Sequence, residues 1–335
     1  MQVLIVNQSE VSRLLPMDAC MEAMARALAA VTRGEARLPL RQVLMLPDQA
    51  GAFAVMPAYL GSLPALGLKA ITVFPGNHGT ELDSHQGAVL LFETRRGSLR
   101  AVMDASSITA IRTAAVSGVA TRLLARADAG DLALIGTGVQ ALKHLESMSQ
   151  ARRLRRVRAW SRSAENVRAF VGRAQRFLGI AVEPAAGARE AAKGADLVCT
   201  VTSSREPVLE GEWLAPGAHV NAVGASLPTA RELDTAAVVR ARLFVDRRES
   251  ALSEAGDFLV PRSEGAIDDS HIRGELGELL LGQCAGRRSE SEVTVFKSLG
   301  LAVEDVASAQ LIYDRALKSG LGSWVELGGA RDAGG

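Results

Sequence analysis

A short apolar run at residues 3–6 opens the chain. Pro16 and Asp18 then mark a helix start, and Met21, Met24, Leu28 and Val31 recur at helical spacing until Gly34 ends the pattern. This is the stripe of an amphipathic helix packed on a partner layer. Between residues 42 and 104 the rhythm changes to short runs rich in Val, Leu, Phe and Thr, separated by Pro and Gly: RQVLMLP, GAFAVMPAYL, LGLKAITVFP, QGAVLLFE and SLRAVMD. With Arg95-Arg96-Gly97 as a turn between the last two, these runs predict an antiparallel, mostly meandering sheet.

A long helix, SSITAIRTAAVSGVATRLLA over residues 106–125, leads into a second half where strands and helices alternate. The strand segments are DLALIG, RRVRAWS, IAVEP, DLVCTVTS, HVNAVGA and RLFVDR. Such alternation predicts a parallel, doubly wound sheet with right-handed crossovers. Residues 302–321 form another helix, free to return to the first domain. The expected fold class is therefore α/β: a Rossmann-type domain joined to an α+β domain with a mostly antiparallel sheet.

Composition narrows the function. With 335 residues, 48% apolar and 22% charged, the chain suits two globular domains. The formal net charge of +1 gives no global field to recruit nucleic acid or an anionic membrane, so a small-molecule partner is expected. The basic run at residues 152–158 reads as the solvated approach to a strand. Cys20, Cys199 and Cys284 show no C-x-x-C pairing and read as reduced, buried thiols of a cytoplasmic protein. Neither a signal-like N-terminus nor a spanning apolar run is visible, and no His, Cys or carboxylate cluster has metal-ligand spacing.

Gly136-Thr137-Gly138-Val139-Gln140-Ala141 directly follows an apolar strand and opens a helix. There the first Gly makes the tight turn, the second lets the backbone approach a pyrophosphate, and Ala141 permits close helix–strand packing. A tight turn serving another ligand is the plainer alternative. At the end of the next strand stands Ser161-Arg162-Ser163, with no acid until Glu165. A guanidinium between two hydroxyls favours the extra phosphate of NADP(H), with NAD(H) as the alternative. Arg41, Lys69 and Arg112 stand near otherwise apolar segments, where an unpaired charge is costly. Singly, each reads as an ion pair or a snorkelling side chain; together they suit a carboxylate-bearing substrate.

These residues lie in a series of motifs: Met56-Pro57-Ala58-Tyr59, LGLKAITVFPGN, HQGAVLLFE, ITAIRTAAVSG, GTGVQA, VNAVGASLP and VFKSLGLAVED. In content and order they resemble the ornithine cyclodeaminase and mu-crystallin family over nearly the whole chain. The resemblance implies a substrate-binding and dimerisation domain from residues 1–115 with 302–335, a Rossmann domain from 116–301, and a homodimer. It implies that Arg41, Lys69 and Arg112 hold the substrate carboxylate and that Thr113 lies near the cofactor phosphates. Ser161 and Arg162 would face the adenosine ribose, and Thr202 and Ser203 the adenosine half. Val223 and the segment Lys297-Ser298-Leu299 would surround the nicotinamide. The Ser161–Ser163 segment looks like that of the NADP(H)-using mu-crystallins.

One departure bears on the reaction. Cyclodeaminases carry an Asp in a G-G-D-x-P loop, where this chain has Gly224-Ala225-Ser226-Leu227-Pro228. Without an adjacent base, the Ser226 hydroxyl cannot take a proton from an ammonium at neutral pH, whereas reducing a protonated iminium needs only a hydride. The expected activity is NAD(P)H-dependent reduction of small α-imino acids, such as the cyclic ketimines Δ1-pyrroline-2-carboxylate and Δ1-piperideine-2-carboxylate, to L-amino acids. His85 either lines that site as a proton donor or is structural. Alternatives are amination of a 2-oxo acid as in alanine dehydrogenases, reduction of iminosuccinate, ornithine cyclodeamination, and a non-enzymatic NADPH-binding, crystallin-like role.

Overall fold

The computed structural model describes residues 1–77 and 80–329, and the chain divides into two compact units, 1–112 with 301–335 and 113–300. Helix Ala105–Leu124 carries the chain from one into the other.

The first unit is an eight-stranded mixed sheet. Strands Gln42–Met45, Ala52–Leu60, Ala65–Val73, His85–Phe92 and Leu99–Asp104 form the anticipated antiparallel meander. Gly97 takes φ 74° in the last hairpin, where a side chain would be strained. Beyond the meander, Gln2–Val6 pairs parallel to Leu99–Asp104 and antiparallel to Ser323–Glu326, a terminal strand whose exposed pattern gave no alternating signal. Helix Met17–Thr32 buries Met21, Met24 and Leu28. It is preceded by Gln8–Leu14, a short helix capped by Asn7 and Glu10 that the apolar periodicity did not reveal. Helix Ala302–Ser319 packs on the sheet and on Met17–Thr32.

In the second unit all eight strands run parallel. Their order across the sheet is Glu183–Pro184, Arg156–Trp160, Asp131–Ile135, Leu197–Thr200, His219–Ala222, Thr294–Lys297, Arg242–Val245, Ile272–Glu275. Ile272–Glu275 and Thr294–Lys297, which flank Arg242–Val245 on either side, add two strands to the six read from sequence. Alternate residues pack on opposite faces: Leu132, Leu134 and Cys199 join one core, Ala133, Ile135 and Val198 the other. Burial on both faces explains why these strands read as continuous apolar runs. The order reverses between Asp131–Ile135 and Leu197–Thr200, the point at which open α/β sheets bind ligands.

The basic run is spent on the protein itself. Arg152 donates to the carbonyls of Thr121, Arg122, Ala125 and Arg126, closing the end of Ala105–Leu124, while Arg155 pairs with Asp131 and Asp196 and Arg156 with Glu183. All three cysteines are free; Cys20 and Cys199 are buried, whereas Cys284, expected buried, is partly exposed. No helix among the described residues is long and apolar enough to cross a membrane, and no group of three or more His, Cys, Asp or Glu among them is placed to hold a metal.

Candidate active site

In the first unit, Lys69 lies on the face of Ala65–Val73 shared with Ala65, Gly67 and Ile71, which is covered by helix Ala302–Ser319. A Cβ on Gly67 would stand 3.1 Å from Val306, so the helix sits close to the strand. The first turn of that helix carries Glu304 and Asp305, both fully buried at the positive end of the helix dipole. Asp305 joins the two cations singled out in the sequence: its Oδ2 is 2.9 Å from Lys69 Nζ and its Oδ1 accepts Arg112 Nε at 3.1 Å. Arg112 Nη1 donates to Glu304 Oε2 at 2.8 Å, and Lys69 Nζ to Thr109 Oγ1 at 3.3 Å.

Burial pushes Lys69 down to about 8, with Asp305 opposing the shift and Arg112 and Arg41 adding to it. Burial also works to raise the Asp305 carboxyl, but Arg112 and Lys69 outweigh it and hold the group below the usual carboxylate range. For Arg112, Asp305 and Glu304 outweigh burial and raise its proton affinity. The quartet is thus two cations balanced by two carboxylates, with Arg41 close enough to act on Lys69. Thr109, Glu304 and Asp305 escaped the sequence reading because helical acids ordinarily face solvent; the Lys and Arg in apolar surroundings were the signal that such partners existed. His85 stands exposed at the head of His85–Phe92, its Nδ1 3.0 Å from Ser84 Oγ.

The second unit presents a glycine turn that opens a helix. Gly136 has φ 112°, and a Cβ there would lie 2.6 Å from the Val201 carbonyl oxygen. Gly138 faces open space and begins helix Val139–Ala151 without any side-chain cap, so the first-turn N–H groups are available to an anion. Thr137 is nearly buried, its carbonyl accepting from Arg173, while Val139 is exposed and Gln140 half-buried. A cradle with these properties fits a pyrophosphate. Ser161 Oγ donates to the Ser163 carbonyl and Ser163 Oγ accepts from Asn166 N–H, so these hydroxyls also shape the turn, with Arg162 exposed between them.

Thr202 donates its hydroxyl to Glu232, Ser203 and Ser226 are exposed, Val223 is half-buried and Thr113 is buried. Lys297 is fully buried, with Nζ 2.9 Å from Asp257 Oδ2 and donating to the Ala222 carbonyl at 3.2 Å, so its side chain frames the sheet. Ser298 and Leu299 follow it, with Leu299 N–H held by Asp246.

The sequence pattern of the ornithine cyclodeaminase/mu-crystallin family matches residues 1–320. The chain belongs to this family. It is 44% identical to the ketimine reductase mu-crystallin of Mus musculus over 276 residues, covering 82% of this chain and 84% of the relative. The Thermococcus litoralis Δ1-pyrroline-2-carboxylate reductase, solved with NADH and L-proline, superposes with a TM-score of 0.94 at 37% identity, over 96% of this chain and 99% of that one. An archaeal alanine dehydrogenase dimer with bound NAD gives 0.91 at 34% identity, over 97% and 99%. The α/β fold of this family member, a parallel Rossmann-type sheet plus a mostly antiparallel mixed sheet, is that of nicotinamide-binding enzymes.

Proposed function

We propose that this family member is an NAD(P)H-dependent reductase of small cyclic α-imino acids, giving L-amino acids. The observation that carries this reading is the charge-balanced quartet of Lys69, Arg112, Glu304 and Asp305 with Arg41 beside it, in a chain whose second unit holds a glycine cradle for a dinucleotide. Arg112, Arg41 and Lys69 hold the substrate carboxylate, and Asp305 fixes the two buried cations so that the anion meets a preorganised site. When bound, the dihydronicotinamide supplies the hydride that converts C=N to CH–NH. Ser226 stands where an Asp would remove a proton from an amine, which favours the reductive direction. The relatives named for ketimine and pyrroline-2-carboxylate reduction support the substrate class.

Gly136, Thr137, Gly138, Val139, Gln140 and Thr113 cradle the phosphates; Thr202 and Ser203 lie on the adenosine side, and Val223, Ser298 and Leu299 at the nicotinamide. Arg162, exposed beside Ser161 and Ser163, selects NADP(H) over NAD(H). The protein works as a homodimer. Val43, Leu44, Met45 and Phe53 are 37–61% exposed on the paired strands Gln42–Met45 and Ala52–Leu60, an apolar edge that a second copy covers. Three free thiols suit the reducing cytoplasm.

The test is NADPH oxidation at ~340 nm, the dihydronicotinamide absorbance, with Δ1-pyrroline-2-carboxylate and Δ1-piperideine-2-carboxylate, beside NADH and beside pyruvate with ammonia. Turnover on the cyclic imines that collapses in Arg112→Ala supports the proposal. Turnover confined to pyruvate with ammonia would transfer the chain to the second reading, amination of a 2-oxo acid, which the likeness to alanine dehydrogenase favours.

A further inference from the structure

At the carboxyl ends of the parallel strands, one buried carboxylate makes contacts that the reaction itself does not use. Glu232 is fully buried, and its two oxygens accept four hydrogen bonds. Oε1 takes the Thr202 N–H and the Thr202 hydroxyl, both at 2.7 Å; Oε2 takes the Thr200 hydroxyl at 2.8 Å and the Gly224 N–H at 2.6 Å. Thr200 ends the strand Leu197–Thr200, and Gly224 follows the strand His219–Ala222. One carboxylate therefore ties together the exits of two adjacent strands. The approach is close: a Cβ on Gly224 would stand 2.0 Å from the Thr202 carbonyl oxygen and 2.6 Å from Glu232 Oε1, so only glycine fits there.

Glu232 is itself held from behind. Asp257 Oδ1 accepts the N–H groups of Glu232 and Leu233 at 2.8 and 2.9 Å, while Asp257 Oδ2 pairs with Lys297. Lys297 in turn donates to the Ala222 carbonyl, two residues before Gly224. Three buried titratable side chains thus form a frame beneath both loops. Burial, with Asp257 adding to it, raises the Glu232 carboxyl, while Lys297 and the Thr202 donors oppose the shift.

We propose that Glu232 is a positioning residue for the cofactor, holding the Thr200–Thr202 and Gly224 backbones at the fixed separation on which the dinucleotide rests. This inference rests on the proposed cofactor site. Each Glu232 oxygen accepts one backbone N–H, and a backbone N–H cannot turn away. A glutamine at this position, in either orientation of its amide, directs an NH2 at one of those N–H groups and loses that backbone contact, leaving the Val223 and Gly224 N–H bonds to the Thr200 carbonyl as the remaining tie between the strand exits. Loss of the tie therefore falls on the cofactor-facing loops before it falls on the substrate cations of the other unit.

The experiment compares the full-length protein with Glu232→Gln and Thr200→Val, the latter removing one hydroxyl donor and no backbone group. NADPH and NADH dissociation constants come from fluorescence titration, KM values for cofactor and Δ1-pyrroline-2-carboxylate from steady-state kinetics, and folding from thermal unfolding without ligand. Glu232→Gln is expected to weaken cofactor binding about tenfold or more and Thr200→Val about threefold, with the imino-acid KM within about twofold in both. Should Glu232→Gln not fold, Thr200→Val alone decides. Cofactor affinity within about twofold of the parent in the folded variants would overturn the inference. So would an equal rise in both KM values, which marks general loosening. A parent protein that binds neither cofactor would overturn the functional reading and this inference with it.

Discussion

Lys69 and Asp305 lie 2.9 Å apart with side chains 3% and 0% exposed, and the second oxygen of the same carboxylate serves Arg112. Removing the carboxylate therefore leaves Lys69 without its carboxylate partner and Arg112 with Glu304 alone. Asp305→Asn is expected to destabilise the protein by about 3–5 kcal/mol, the cost of breaking a buried pair from one side, read as a drop in urea midpoint at unchanged slope. A change below about 1 kcal/mol would show that Asp305 is not the buried partner of Lys69 and Arg112.

Lys69, lowered to about 8, carries its charge below that pH and loses it above. As a ligand for the substrate carboxylate it predicts that kcat/KM for the imino acid falls as pH rises through about 8. Stability moves the other way: between about 8 and the ordinary 10.5 the unfolded chain binds the proton that the folded chain has released, so this group favours folding as pH rises through that window. In Lys69→Arg the alkaline limb of the rate profile should move up or vanish, because a guanidinium stays charged. An unmoved limb would assign it to another group.

Gly136→Ala places a methyl 2.6 Å from the Val201 carbonyl at φ 112°. Strain of about 1–3 kcal/mol is expected, with cofactor binding lost more completely than the fold. Circular dichroism and NADPH titration separate the two, and parent-like affinity would remove the glycine cradle from the cofactor site.

Arg162→Glu sets a carboxylate where the extra phosphate of NADP would lie. The ratio of kcat/KM for NADPH over NADH should fall by about tenfold or more, the loss of one charged hydrogen bond. No change in that ratio would leave Arg162 without a role in cofactor choice.

Ser226→Asp restores a carboxylate at the exposed loop position where cyclodeaminases carry their base. Oxidation of L-proline at alkaline pH should rise relative to imine reduction; an unchanged ratio would show that direction is not set at this residue.

The meander, the doubly wound sheet and the glycine turn were legible because each leaves a periodic or steric mark: alternating apolar runs, strand–helix alternation, and glycines where a Cβ has no room. Lys69 and Arg112 were legible as misfits, charges on apolar elements. Their partners were not. Glu304, Asp305 and Asp257 look like ordinary first-turn acids, and Glu232 lies outside any helix or strand. Only tertiary contact, over 193 residues for Arg112 and Asp305, turns them into buried acceptors. The same limit applies to Lys297, whose motif pointed to the nicotinamide while its side chain answers to Asp257.

The first unit is drawn from both flanks of the second, and this sets an order of events on the ribosome. Residues 113–300 are continuous and have all their strands in hand once they emerge. Lys69 and Arg112 emerge earlier but lack Asp305, and Gln2–Val6 lacks its neighbour Ser323–Glu326, until the last stretch is synthesised. Until then the first unit has two cations without Asp305 and an open sheet edge, while the second unit already holds every residue it needs. That interval is when the chain is most exposed to misassembly and to chaperone capture.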